Sequence, residues 1–154
     1  MGIWDRRGGA AEGNGGGVSG ELASVLVKGA PLPTSAADAR DHIEALLRER
    51  FVPGNDGFRD DTVGTDALLV TSELVTNASR HGGGLTDFSA RIQDDELFLS
   101  VADESTELPV VRPRTPGEYA VGGYGWPMVI RLTKSLSVVP TATGKRIEAV
   151  ISLT

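Results

Sequence analysis

The sequence predicts an α+β two-layer sandwich, a mixed and mainly antiparallel sheet covered by helices on one face. Three observations point there. Two long segments with helical apolar spacing come early; a pair of segments with period-two alternation follows, joined by a tight turn; and after a long loop a further helix precedes two more alternating segments. Helices and strands arrive in groups rather than in strict alternation, which favours hairpins over parallel crossovers. At 154 residues the chain has the size of one domain, large enough to bury about two thirds of the surface its unfolded form exposes.

Eight of the first 20 residues are Gly, and "GGAAEGNGGG" has almost nothing to bury. Residues 1–20 are therefore expected to be a disordered leader, with the domain running from 21 to 154. "ELASVLVKG", 21–29, reads as a first strand. Beyond Pro31 and Pro33, "TSAADARDHIEALLRERF" changes to helical spacing, with Ala36, Ala39, Ile43, Leu46 and Leu47 on one face, Ser35 and Asp38 as a capping pair, and "VPGNDG" as the stop. Residues 51–64 read as a loop rich in Gly and Asp. A second helix follows in "TDALLVTSELVTNASRH", 65–81, offering Leu68, Val70, Leu74, Val75 and Ala78 to the core. From Thr86 the period is two: Phe88, Ala90 and Ile92, the turn "QDDE", then Leu97, Leu99 and Val101, ending at Asp103. Residues 104–125 contain three Pro and the cluster "GGYG", a loop too long for a plain connection in a compact domain and so a candidate functional segment. "WPMVIRLTKSL" reads as a third helix with Pro127 in its first turn, and "SVV" and "KRIEAVISL" as strands around "PTATG".

Composition narrows the function classes. Hydrophobic residues make up 40% of the chain and no apolar run approaches the roughly 18 residues of a membrane span. The mean hydropathy, -0.08, is that of an ordinary globular protein. A net charge of -6 disfavours nonspecific binding to nucleic acid or anionic lipid and leaves a protein partner or a small ligand. With no Cys there is no disulfide framework and no thiolate zinc site, and "MGIWDRRGG" lacks the apolar core of a secretory signal, so cytoplasmic residence is expected.

The chemistry concentrates in three places. In "SELVTNASRHGGG" a carboxylate, an amide and an imidazole, Glu73, Asn77 and His81, recur every four residues and line up on one helix face, beside the apolar stripe of Val70, Leu74 and Ala78. A solvated face would account for Glu73 and Asn77 alone. Asp103 ends a strand that reads as buried, where it either opens a turn with Ser105 or must find donors. "VGGYGWPMVIRL" is a Gly-rich loop running into a helix, an arrangement that offers backbone N–H groups and a positive dipole end to phosphate. Arg80 and His81 fall at the end of the second helix, His81 either at a site edge or favourably placed against the helix C-terminus. Arg112 and Arg114 lie in the long loop, either within reach of phosphate or solvated.

Taken in order, helix with Glu and Asn, strand ending in Asp, paired Gly opening a helix, these segments resemble the GHKL superfamily of ATPases, whose Bergerat fold is an α/β sandwich of the kind described. "ELVTNASRHG" is similar to its N box, "VADES" to the aspartate of its first glycine box, and "GGYGWPMVIRLTKSLSV" to its second glycine box with the following helix and strand. The similarity spans about 25–153. "LLVTSELVTNASRHG" most resembles the small anti-sigma-factor serine/threonine kinases of actinobacterial type. The resemblance implies ATP and Mg²⁺ as cofactors, with Asn77 a metal ligand, Glu73 a general base, Asp103 the acceptor for the adenine amino group, and Gly122, Gly123 and Gly125 close to the phosphates. It implies as partners a sigma factor that the protein withholds from RNA polymerase and an anti-anti-sigma (STAS-type) protein that it phosphorylates, with homodimerisation common. A non-catalytic module of the same fold, capturing a regulator stoichiometrically, is the alternative. The chain departs from the family at "DESTE", where Ser105 and Glu107 replace glycines, at "TGKRIE", where a Gly-Thr is common, and at Trp126 in a usually aliphatic place.

Overall fold

The computed structural model describes residues 3–5, 25–26, 31–50, 62–109 and 125–154. Helix α1 (Ala36–Arg50) opens on the expected cap: Ser35 Oγ accepts the N–H of Asp38 at 3.1 Å, and Asp38 Oδ2 accepts the N–H of Thr34 at 2.8 Å. Its buried residues are Ala39, Ile43, Leu46 and Leu47, with Ala36 half-buried at the edge of the same face. Helix α2 (Thr62–Arg80) starts three residues before the sequence signal. Val63 packs against the core and Gly64 and Ala67 are buried, so the apolar stripe of Val70, Leu74 and Ala78 gains a further turn, and packing overrides the poor helix propensity of Gly64. Arg40 donates to Ser72 Oγ at 2.9 Å and ties the two helices together.

The hairpin forms in the expected register. Strand β3 (Leu85–Gln93) pairs with β4 (Glu96–Asp103), setting Phe88 opposite Val101, Ala90 opposite Leu99 and Ile92 opposite Leu97. Its two-residue turn places Asp94 and Asp95 at φ 50° and 57°, the left-handed pair that a type I′ turn requires and that the right-handed strand twist favours. Helix α3 (Gly125–Leu132) is shorter than "WPMVIRLTKSL" suggested. Thr133 Oγ1 donates back to the Val129 carbonyl at 2.8 Å, the Lys134 N–H turns to the Val150 carbonyl at 2.7 Å, and Leu136 joins strand β5 (Ser135–Pro140), buried opposite Ala149 of β6 (Lys145–Ser152). Leu136 and Val138 share the buried parity of β5, so Leu136, expected in the third helix, is a strand residue.

Two short outer strands complete the sheet: β1 (Ile3–Asp5) beside β5 and β2 (Val25–Leu26) beside β3, in the order β1-β5-β6-β4-β3-β2. Strand β1, from within residues 1–20, contributes main-chain pairing at a sheet edge; the remainder of that segment lies outside the described residues. Every described pairing is antiparallel. The helices cover one face, where Leu97, Leu99, Val101, Ile147, Ala149 and Ile151 share a core with Ile43, Leu47, Val70, Leu74, Trp126 and Val129. On the other face Arg91 lies over the Phe98 ring at 4.0 Å and Arg146 pairs with Asp87 at 3.2 Å. Among the described residues no helix is long and apolar enough to cross a membrane.

Candidate functional site

Strands β4 and β6 set the parity of the site. In register, Leu97 faces Ile151, Leu99 faces Ala149, Val101 faces Ile147, and the series closes with Asp103 opposite Lys145, so a carboxylate and an ammonium occupy the next position along a buried face. They meet there. Lys145 Nζ donates to Asp103 Oδ1 at 2.9 Å, with side-chain exposures of only 7% and 3%. The Ser105 N–H adds a second bond to the same oxygen at 2.9 Å, so the expected turn with Ser105 and the expected search for donors are both realised.

The end of α2 is pressed against this pair. Gly82 donates its N–H to the carbonyls of Asn77 and Ala78, each at 3.1 Å, and Gly84 returns to Ala78 at 3.1 Å through Gly83 and Gly84 at φ 75° and 128°, a helix stop that needs glycine. The Glu104 N–H then donates to the Gly82 carbonyl at 2.9 Å, fastening the strand end to the helix end. A Cβ at Gly82 would stand 2.5 Å from Asp103 Cγ and 2.6 Å from Oδ2, so only a bare α-carbon admits the carboxyl. Gly144, at the start of β6, is constrained from the other side by the Asp103 backbone, whose carbonyl carbon would lie 2.8 Å from a Cβ.

One turn and two turns back along α2 the surroundings change. Asn77 and Glu73 are half-buried, and among the described residues neither side chain makes a hydrogen bond or ion pair. Glu73 instead directs its carboxylate at Gly125, the first residue of α3: a Cβ there would meet Oε2 and lie 2.7 Å from Cδ. A negative group at a helix N-terminus is electrostatically favourable. The α3 start is thus placed against the polar line of α2, with Trp126 directly behind it in the core.

Gly125 beside Glu73, then Asn77, then Asp103 beside Gly82 therefore follow one another along α2, whereas Gly122, Gly123, Arg112 and Arg114 lie outside the described residues. His81 and Arg80 are exposed, and the His81 N–H caps Asn77 through the backbone. From Glu73 to Arg80 the helix rises about 10 Å, with Gly82 and Asp103 just beyond, a span on the scale of a nucleoside triphosphate. The donor set suits such a ligand with Mg²⁺: an uncommitted amide oxygen at Asn77, an acceptor carboxylate at Asp103, and a glycine opening a helix at Gly125. The sequence reading did not include Lys145, Gly82 or Gly144. The parity of residues 145, 147, 149 and 151 was the available signal for Lys145, because it sets a lysine on a face otherwise apolar. A comparison with models of known protein families finds no match, and a comparison with curated proteins finds none either.

Proposed function

We propose that the protein is a cytoplasmic ATP-binding regulator of the anti-sigma-factor type, a Mg-ATP-dependent serine/threonine kinase that phosphorylates an anti-anti-sigma partner and otherwise sequesters a sigma factor. The observation that carries this is the polar line of α2, whose Glu73 end faces the start of α3 and whose other end meets the buried Asp103 across Gly82. Asn77, between them, is the residue that would hold Mg²⁺, and Asp103 Oδ2 the acceptor that would read an exocyclic amino group. Mg-ATP held there would supply the γ-phosphoryl group, its bond to the bridging oxygen breaking as ADP leaves. Glu73 takes the proton of the partner's serine or threonine hydroxyl as that oxygen becomes the nucleophile, and among the described residues no group donates a hydrogen bond to its carboxylate. Incubation with labelled ATP, Mg²⁺ and an anti-anti-sigma protein tests this. Wild type transfers label, Glu73→Gln is slower by about 10² or more, and equal rates in the two proteins would contradict the base assignment.

A second reading is favoured by a specific contact. Asp103 Oδ1 already accepts from Lys145 and from the Ser105 N–H, so a capture module that keeps the fold without turnover needs no nucleotide to satisfy its buried carboxylate. A stoichiometric complex with a sigma factor that forms equally with and without ATP, and no label transfer, is the outcome that selects it.

A further inference from the structure

Lys145 stands in "TGKRIE", where the resembled family commonly has Thr after the Gly, and the structure gives it two acceptors: Asp103 Oδ1 at 2.9 Å and the Ser105 carbonyl at 3.4 Å. The Ser105 N–H approaches Oδ1 as well. Both donors therefore converge on one oxygen of the carboxylate, and Oδ2 is turned to the Gly82 side, against the end of α2. A carboxylate has a rotatable side chain, and its two oxygens are chemically equivalent until something distinguishes them. Here the distinction is made by burial and by a lysine held at the head of β6 by the strand register itself.

We propose that Lys145 is a positioning residue for nucleobase selection: it pins Oδ1 so that Oδ2 is the acceptor presented to the amino group of the base. This rests on the nucleotide-binding reading above. An exocyclic amino group in the plane of a fixed acceptor is recognised, whereas a carbonyl at the same place meets a carboxylate oxygen and is rejected, because a buried acceptor pair lacks any proton between them. Selectivity for adenine over guanine thus depends on Lys145 although Lys145 need not touch the base.

Lys145→Arg separates positioning from mere charge neutralisation. A guanidinium keeps the positive charge but engages carboxylates in a two-oxygen fork, so it takes Oδ2 as well as Oδ1. Binding of ATP, GTP and inorganic tripolyphosphate, each with Mg²⁺, would be measured by calorimetry on wild type, Lys145→Arg and Lys145→Met. Wild type is expected to prefer ATP to GTP; in Lys145→Arg, shown folded by its thermal melt, that preference falls by about ten-fold or more while tripolyphosphate affinity stays within two-fold, roughly the noise of additivity for distant sites. Lys145→Met, which frees the carboxylate to rotate, is expected to lose preference too, and serves if the arginine cannot be accommodated. A folded Lys145→Arg protein with the wild-type ATP preference overturns the positioning role and leaves the nucleotide reading standing. Absence of ATP and tripolyphosphate binding by wild type overturns both.

Discussion

The two ends of the α2 polar line are built differently. At the Asp103 end the groups are held in place: Oδ1 of the carboxylate accepts from a lysine and a backbone N–H, Gly82 and Gly144 are closed off by the aspartate itself, and the strand end is bonded to the helix end. At the Glu73 end the polar side chains are half-buried without partners among the described residues, and the contact with Gly125 is made by the tip of a flexible side chain. The first arrangement is what holding a group in one orientation requires, and the second is what engaging a ligand or moving a proton requires. Rigidity and availability are thus divided between two ends of one helix.

Substitutions that unfasten the committed end should produce the largest effects. Lys145→Met leaves a carboxylate buried without its counter-charge and should lower unfolding free energy by about 3 kcal/mol or more, read from urea melts. Were it to cost under about 1 kcal/mol, the pair would be less buried than described and the contrast between the ends would weaken. Gly144→Ala comes next, at about 1–3 kcal/mol, because the new methyl group meets the backbone of Asp103 and Glu104, which cannot swing aside. Gly125→Ala is the matched probe at the other end: the atoms nearest its methyl group belong to the Glu73 side chain, which can rotate away, so stability should change by less than about 1 kcal/mol while label transfer falls as the carboxylate is displaced. Smallest is the stability effect of Glu73→Gln, within about 0.5 kcal/mol, since no partner among the described residues is lost. Equal stability losses at Gly144 and Gly125 would break the comparison.

The fold was legible wherever period and parity were clean. The hairpin of Phe88, Ala90 and Ile92 against Leu97, Leu99 and Val101 followed from alternation alone, and the Ser35–Asp38 cap from local chemistry. The misplaced boundaries have physical causes. Gly64 reads as a loop residue until the buried face of α2 is seen to include it, and Leu136 fits a helical window until its pairing with Ala149 decides. Strand β1 could not be read because three residues in a glycine-rich stretch carry little periodicity, and their pairing with β5 is long-range. In the site, Glu73, Asn77 and Asp103 declared themselves as polar residues in apolar settings, whereas for Lys145 parity marked the buried face but not the partner: Asp103 lies 42 positions away, a cross-strand relation that only the register of β4 and β6 supplies. The glycines were visible as "HGGG" and "TATGK" but their purpose was not, since what each must admit is a group from another element.

The central claim, that the α2 line is the wall of a nucleotide pocket, is tested most directly by calorimetric titration of the whole protein with ATP and GTP, each with and without Mg²⁺, beside Asn77→Ala. The account predicts binding that prefers ATP, strengthens with Mg²⁺, and loses its Mg²⁺ dependence in Asn77→Ala. A folded wild-type protein that takes up neither nucleotide would contradict it, and the unpartnered groups at Glu73 and Asn77 would then have to be sought in contact with a protein surface.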